Sequence, residues 1–275
     1  MPRRNRDRKR RNRETRRQLG EGQAAVVVGA RAARNFALSV EKGLDHFTAM
    51  LAITTGKSPT ANDVVANATG TLINTGKNQF LVTNHHVYAE FQSHRDKNPH
   101  SKLIMSGAHG MRFLDISEAK CLGADKAFDL AVLSVPPLTV FNQRKLFLCP
   151  EKWPPPRAEK GMLAVLVGYP GEGRNVEQSG ALGASPLSAV MRVVSVSERH
   201  FVIADEDQDA HVFVPKGQKP LTSFGGISGS GVYVICPKGV TSDDVWLAGF
   251  VYEEGPGHSL MVAHADHINA DGTIR

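Results

Sequence analysis

From Ala68 onwards the chain consists of short apolar runs separated by turn residues, and this pattern limits the possible folds more than any other feature. The runs are rich in Val, Ile, Leu and Phe, and clusters of Gly, Pro and Asn lie between them. Many short strands with such turns predict an all-β sandwich or barrel. The runs are Gly70–Ile73, Gln79–Thr83, Leu130–Val135, Ala164–Val167, Val190–Val196, Phe201–Ala204, His211–Val214, Gly231–Ile235 and Val245–Tyr252.

Before these runs, apolar residues recur at steps of four, four, three and four. They are Phe36, Val40, Leu44, Phe47 and Leu51. This spacing is typical of one face of an amphipathic helix. We therefore predict an N-terminal helix over residues 34–55 that packs its apolar face on the body of the protein.

Residues 1–23 form an Arg-rich segment that we predict to be a disordered tail. Residues 1–17 hold ten of the 33 basic residues and two of the 27 acidic ones, which leaves 23 bases and 25 acids elsewhere. The body is therefore nearly neutral. Two interpretations of the tail stay open: weak contact with nucleic acid or another polyanion through residues 3–17, or a tail that only improves solubility.

The cysteine content and the hydropathy pattern bear on the cellular compartment of the protein. Three cysteines, Cys121, Cys149 and Cys236, form an odd set without close pairing, which favours a reduced environment over a disulfide framework. No apolar stretch approaches the roughly 20 residues of a membrane span. We predict a cytoplasmic protein, and the alternative is export through a twin-arginine-like signal at Arg16-Arg17.

The segment Gly225–Gly231 reads Gly-Gly-Ile-Ser-Gly-Ser-Gly. A serine nucleophile needs an exposed hydroxyl on a tight turn and backbone N–H groups directed at the oxygen of the attacked carbonyl. Glycines on both sides of Ser228 permit that geometry. Alone, the same pattern is equally typical of a simple turn before a strand.

Two further polar residues stand at the ends of apolar runs. His86 follows the run Phe80–Thr83, and Asp129 precedes the run Leu130–Leu133. Taken singly, each is typical of a structural residue. Together with Ser228 they supply the alcohol, the imidazole base and the orienting carboxylate of a serine hydrolase. Their order of His, Asp, Ser differs from that of the subtilisin-like and α/β-hydrolase triads.

The blocks Thr83–Val87, Asp129–Leu133 and Gly226–Ser230 resemble the three signature blocks of trypsin-like serine peptidases, and most closely the bacterial high-temperature-requirement type. This resemblance implies two packed six-stranded antiparallel β-barrels with the active site between them. We expect the peptidase domain at 60–275, with barrel one at about 60–148 and barrel two at about 157–262. A short C-terminal helix is expected near Ala263–Asn269, and the 47 residues after Ser228 leave no room for a PDZ domain.

By the same resemblance, His86, Asp129 and Ser228 are the catalytic residues, and the backbone N–H groups of Gly226 and Ser228 form the oxyanion hole. His85 is the alternative imidazole, but the residue directly before Val87 matches the family block. Ile227 departs from the family pattern, which usually has Asp or Asn there. Activation by pairing a new N-terminus with an Asp at this position therefore cannot operate in its usual form.

The resemblance also locates a substrate pocket, with Thr222 at its floor and Gly249, Phe250 and Val251 on its wall. Because Thr222 is not acidic, we expect a small or medium apolar residue before the cleaved bond. No cofactor and no metal is predicted, since the cysteines lack zinc spacing and His264, Asp266 and His267 are more typical of surface or capping chemistry. The predicted function is a serine endopeptidase, and the alternative is a silent protease-fold binding module tethered to nucleic acid by its tail.

Overall fold

A computed structural model describes residues 43–55, 63–107, 113–137, 140, 144–176, 182–204, 211–213, 223–235 and 245–275. These residues form two seven-stranded sheets and a small two-stranded hairpin, and one α-helix, of 13 residues, lies entirely within them. All named strand pairs are antiparallel, as short strands joined by turns require.

The first sheet lies in the N-terminal half of the described chain. Its strand order is β5-β4-β1-β2-β3-β7-β6, and helix α1 (His85–Lys97) connects β3 to β4. Its strands are β1 (Thr48–Thr54), β2 (Val64–Asn74), β3 (Gln79–Thr83), β4 (Lys102–Met105), β5 (Leu114–Asp115), β6 (Lys120–Asp125) and β7 (Leu130–Ser134).

The second sheet follows a linker between Ser134 and Leu163. Its order is β12-β16-β15-β14-β8-β11-β13, and an additional pairing of β11 with β12 closes six of its strands into a barrel. Its strands, with the separate β9–β10 hairpin, are β8 (Leu163–Gly168), β9 (Arg174–Val176), β10 (Leu182–Ala184), β11 (Leu187–Val196), β12 (His200–Ala204), β13 (His211–Phe213), β14 (Gly231–Ile235), β15 (Val245–Glu254) and β16 (Leu260–His264).

This architecture confirms the predicted all-β fold. One barrel is closed, and the first sheet is curled into a half-barrel, which is consistent with a chymotrypsin-like fold. The strand interiors explain why the runs are so apolar: the first four residues of β7, Leu130–Leu133, are completely buried. A strand that is covered on both faces loses the polar alternation of a half-exposed strand.

The predicted helix over residues 34–55 is wrong from Asp45 onwards, whereas Gly43 and Leu44 are helical and residues 34–42 lie outside the described residues. Asp45–Phe47 is a 3-10 turn, and Thr48–Thr54 is strand β1, in which every residue is buried. Because both faces of β1 are covered, its apolar residues carry no period of two, so the spacing from Phe47 to Leu51 matched a helix by chance. The expected C-terminal helix is a single 3-10 turn, Ala265–His267.

The two halves are joined by hydrogen bonds between β2 and the glycine-rich segment before β14. The Thr69 N–H donates to Ser228 O at 2.9 Å, and the Thr71 hydroxyl donates to Gly229 O at 2.9 Å. The linker contributes as well, since the Leu148 N–H donates to Leu72 O. Ser228 is therefore held directly against the first sheet. Among the residues that the structure describes, no helix is long and apolar enough to cross a membrane.

Candidate active site

Asp129 stands in a turn that is set by the side chain of Asp125. Asp125 Oδ1 accepts hydrogen bonds from the N–H groups of Ala127 and Phe128, at 2.7 and 3.0 Å. Asp129 itself has a φ of 50°, a left-handed conformation that Asp tolerates better than most residues. The turn delivers a carboxylate at the start of β7, where its side chain is 21% exposed.

His86 lies in the first turn of α1 and meets this carboxylate at two points. Its ring Nδ1 is 2.7 Å from Asp129 Oδ2, and its backbone N–H donates to Asp129 Oδ1 at 2.9 Å. The Asn84 side chain, at the N-cap of α1, donates to Asp129 O at 2.9 Å and to Oδ2 at 3.3 Å. A carboxylate at a helix N-terminus satisfies an unpaired N–H group and is favoured by the helix dipole.

The contact with Asp129 also changes the acidity of His86. The hydrogen bond to the carboxylate raises the pKa of His86 above its ordinary value of 6.5, with burial opposing this effect and the negative charge of Asp129 adding to it. The Asp129 contact also favours one tautomer of the ring. When the carboxylate holds a proton on Nδ1, the lone pair is on Nε2. Nε2 is therefore the ring atom that can accept a proton from another group.

Ser228 is positioned by its neighbours in the segment 226–230. A Cβ atom at Gly229 would lie 2.1 Å from Thr69 O and 3.0 Å from Thr83 Cα, so the chain here touches the end of β3. Thr83 precedes His86 by three residues. Among the described residues, no hydrogen bond joins the Ser228 hydroxyl to the His86 ring, whose Nδ1 instead contacts Asp129.

The neighbouring residues of this segment are in the interior. Ser230 is completely buried, and a Cβ at Gly168 would come within 2.3 Å of its Oγ atom. Ile227 is 2% exposed and packs into the core of the second barrel. Of the two serines in this segment, Ser228 is half-buried and Ser230 is completely buried.

The two predicted oxyanion donors lie on either side of Ile227. Gly226 has a φ of +98°, a conformation that favours glycine. Its carbonyl accepts a hydrogen bond from the Thr69 hydroxyl at 2.9 Å. Within the described residues, the N–H groups of Gly226 and Ser228 donate to no protein acceptor. Both donors are thus left for another acceptor, such as the oxygen of a bound substrate.

The predicted pocket is only partly described, because Thr222 lies outside the described residues. Gly249, Phe250 and Val251 are in β15, and the last two side chains are buried in hydrophobic clusters. Gly229 N–H donates to Val251 O at 2.8 Å, so this strand does border the nucleophile segment.

Sequence reasoning missed a carboxylate at the end of the same strand. Glu254 Oε2 accepts hydrogen bonds from the Ser223 hydroxyl at 3.2 Å and from the Phe224 N–H at 3.0 Å. Glu254 follows Ser228 by 26 residues in a β-like run, and no local motif marks it.

The C-terminal histidines serve the fold. His264 Nε2 lies 2.8 Å from Ser197 O, and His267 Nε2 lies 2.8 Å from Arg199 O. In the described ranges, no group of three or more His, Cys, Asp or Glu side chains could hold a metal ion. Residues 3–17 of the predicted polyanion-binding tail lie outside these ranges.

Comparisons with known proteins give similarity to solved structures alone, since no family model and no curated protein sequence matches this chain. The serine protease domain of the Sesbania mosaic virus polyprotein is 14% identical, with a TM-score of 0.41 over 78% of this chain and 87% of that one. A structure concerning the coupled folding and binding of the disordered VPg protein of that virus is 15% identical, with a TM-score of 0.41 over 78% and 85%. Deg5 is 14% identical, with a TM-score of 0.47 over 86% and 90%. Values this low support no assignment of activity.

Proposed function

We propose that this chain is a serine endopeptidase in which Ser228 is the nucleophile, His86 the general base and Asp129 the orienting carboxylate. The observation that supports this best is the two-point contact between Asp129 and His86, through Nδ1 at 2.7 Å and the backbone N–H at 2.9 Å. A surface ion pair does not require such a fixed ring orientation, whereas a catalytic base does. The segment that carries Ser228 is bound to the same sheet.

The proposed reaction proceeds in two halves. The Ser228 Oγ atom attacks the scissile carbonyl while His86 Nε2 takes its proton, and the N–H groups of Gly226 and Ser228 bind the resulting oxyanion. His86 then gives the proton to the leaving amine, which leaves an acyl group on Ser228. A water molecule, deprotonated by His86, attacks this ester and releases the acid.

For the substrate, we propose a small or medium apolar residue before the cleaved bond, because the predicted floor residue Thr222 carries no charge. Cleavage of a peptide library, read by mass spectrometry, tests this preference. Cleavage mainly after Lys or Arg would contradict it. That result would direct attention to Glu254, whose carboxylate lies against Ser223 and Phe224.

The activity itself is tested by labelling the full chain with a fluorophosphonate probe. We expect wild-type labelling that is abolished in Ser228→Ala and strongly reduced in His86→Ala. Two matched controls, Ser230→Ala and His85→Ala, remove the neighbouring hydroxyl and imidazole and should label as wild type does. Absence of wild-type labelling between pH 5 and 9 would reject the enzyme and favour the silent binding module. Labelling that survives Ser228→Ala but is lost in Ser230→Ala would show that Ser230, and not Ser228, is the nucleophile.

A further inference from the structure

A charged lysine is buried between the two halves of the protein, outside the catalytic residues. Lys145 has no exposed surface, and its Nζ atom donates to Thr48 O at 2.6 Å and to Asp45 O at 2.7 Å. Nζ also lies 3.4 Å from Asp45 Oδ1 and 3.5 Å from the Tyr169 hydroxyl, which donates to the same Asp45 oxygen. Burial lowers the pKa of Lys145, and Asp45 opposes this effect.

This cluster of Asp45, Lys145 and Tyr169 joins three distant parts of the chain. Asp45 precedes β1, Lys145 lies in the linker between the barrels, and Tyr169 directly follows β8. Burying a charged group is costly unless it is well paired, and apolar residues of similar size often serve stability equally well. Stability alone is therefore a weak reason for the cluster, and its contacts suggest another role.

The Tyr169 end of the cluster leads directly to the oxyanion segment. The Tyr169 N–H donates to the Thr69 hydroxyl at 2.9 Å, and that hydroxyl in turn donates to Gly226 O at 2.9 Å. Two residues further on, the Gly171 N–H donates to Gly225 O at 2.6 Å. A Cβ at Gly226 would lie 2.9 Å from Tyr169 O and 2.8 Å from Gly171 N, so the loop is in direct contact with this glycine.

The bond between Gly171 and Gly225 restricts the direction of a predicted catalytic donor. In a planar trans peptide the C=O and the following N–H point to opposite sides. With Gly225 O held by Gly171, the N–H of Gly226 must face away from the Tyr169–Gly171 loop. Rotation of this peptide would break the 2.6 Å bond. The loop therefore fixes the orientation of the Gly226 N–H.

We propose that the buried cluster of Asp45, Lys145 and Tyr169 is a positioning device that holds the Tyr169–Gly171 loop against Gly225 and Gly226 and so assembles the oxyanion hole. This inference rests on the proposed peptidase function. The side chain of Ile227 lies in the core and cannot form an ion pair that would hold the oxyanion hole. The buried cluster supplies another means of holding it. All three residues are internal to the chain, so assembly requires no newly cleaved terminus.

Tyr169→Phe removes only the hydroxyl that joins the loop to Asp45. We expect the rate constant for fluorophosphonate labelling of the full chain to fall roughly tenfold, a part of the ~10²–10³-fold loss caused by deleting an oxyanion donor. The pH midpoint of labelling, which reports His86, should stay unchanged. Tyr233→Phe is the matched control, since it removes a buried hydroxyl that has no partner in the described residues, and its rate should equal that of wild type.

A second readout separates positioning from a general loss of stability. In the adduct of Ser228 with acetyl-Leu-Val trifluoromethyl ketone, the hemiketal oxygen occupies the oxyanion hole, and ¹⁹F NMR follows its titration. We expect its pKa to rise by roughly one unit in Tyr169→Phe, the equivalent of a tenfold weaker hole. Thr69→Val, which breaks the link from Tyr169 to Gly226, should raise it similarly and serves if Tyr169→Phe does not fold. The double variant should equal Tyr169→Phe alone, because Thr69→Val cuts only one of the two connections that start from the loop anchored by Tyr169.

Wild-type labelling rates and an unchanged hemiketal titration in folded Tyr169→Phe and Thr69→Val would overturn the positioning role and leave the peptidase proposal intact. Absence of labelling in wild type itself would instead reject the peptidase proposal. A shifted pH midpoint in Tyr169→Phe would also overturn the inference, because the cluster would then act on His86.

Discussion

Replacement of Asp129 by Asn tests the carboxylate that organises the candidate site. The carboxylate of Asp129 makes three hydrogen bonds: with His86 Nδ1 at 2.7 Å, with the His86 backbone N–H at 2.9 Å and with Asn84 Nδ2 at 3.3 Å. Asn keeps the shape but offers one acceptor oxygen, and its NH₂ group must face a neighbour. If the NH₂ faces the ring, Nδ1 becomes the acceptor and the proton moves to Nε2, where it blocks the base.

The expected losses in activity and in stability differ strongly. The same change in a serine triad lowers kcat by about 10⁴-fold, or about 5.4 kcal/mol at 1.36 kcal/mol per tenfold. The loss of charge at the N-terminus of α1 costs only about 0.3–1 kcal/mol. Because one oxygen remains to accept the His86 N–H, Asp129→Asn should fold almost normally while its activity disappears.

The pH dependence gives an independent sign. His86 acts as a base only when neutral, and the hydrogen bond and charge of Asp129 raise its pKa above 6.5. Wild-type activity should therefore fall as the pH decreases through this raised pKa. Without the carboxylate the pKa of His86 drops, so the acid limb of the residual activity should move to lower pH.

Fluorophosphonate labelling rates from pH 5 to 9, with circular dichroism as the folding check, provide the assay. The matched control is Asp125→Asn, which alters a carboxylate in the same turn that binds backbone N–H groups rather than His86. It should change the rate less than tenfold. Refutation would be a folded Asp129→Asn variant that labels within tenfold of wild type, or an acid limb that does not move.

Two further predictions concern the fold and the tail. Phe91→Ala empties a fully buried position beneath α1 and should lower the free energy of unfolding by about 3–5 kcal/mol, measured in urea, whereas Ser93→Ala on the exposed side should change it little. Deletion of residues 1–22 should weaken retention on single-stranded DNA resin at 50 mM salt without changing the labelling rate. Equal retention of both proteins would leave the tail without a role in polyanion binding.

The sequence predicted strands best where turn residues frame them. β3, β7 and β14 coincide with apolar runs bounded by Gly, Asn or Pro, and so their positions could be read directly. β1 failed because both of its faces are buried, and a run without alternation does not distinguish strand from helix. Helix α1 was missed since only Val87 and Phe91 are buried along its 13 residues, too few to mark a helical face.

The residues proposed for catalysis could be predicted from the sequence, whereas the residues proposed for positioning could not. Proton transfer between an alcohol and a carboxylate-bound base needs particular side chains, so the proposed triad of Ser228, His86 and Asp129 is restricted in residue type and could be proposed from its order in the sequence. Orientation of an N–H group needs only a hydrogen bond at the correct place, which a Tyr hydroxyl, a Thr hydroxyl or a backbone amide supplies equally. Tyr169 and Thr69 are 100 residues apart and match no motif. Positioning residues of this kind are therefore to be sought by following hydrogen bonds outward from the oxyanion glycine in a structure, rather than by searching sequences for motifs.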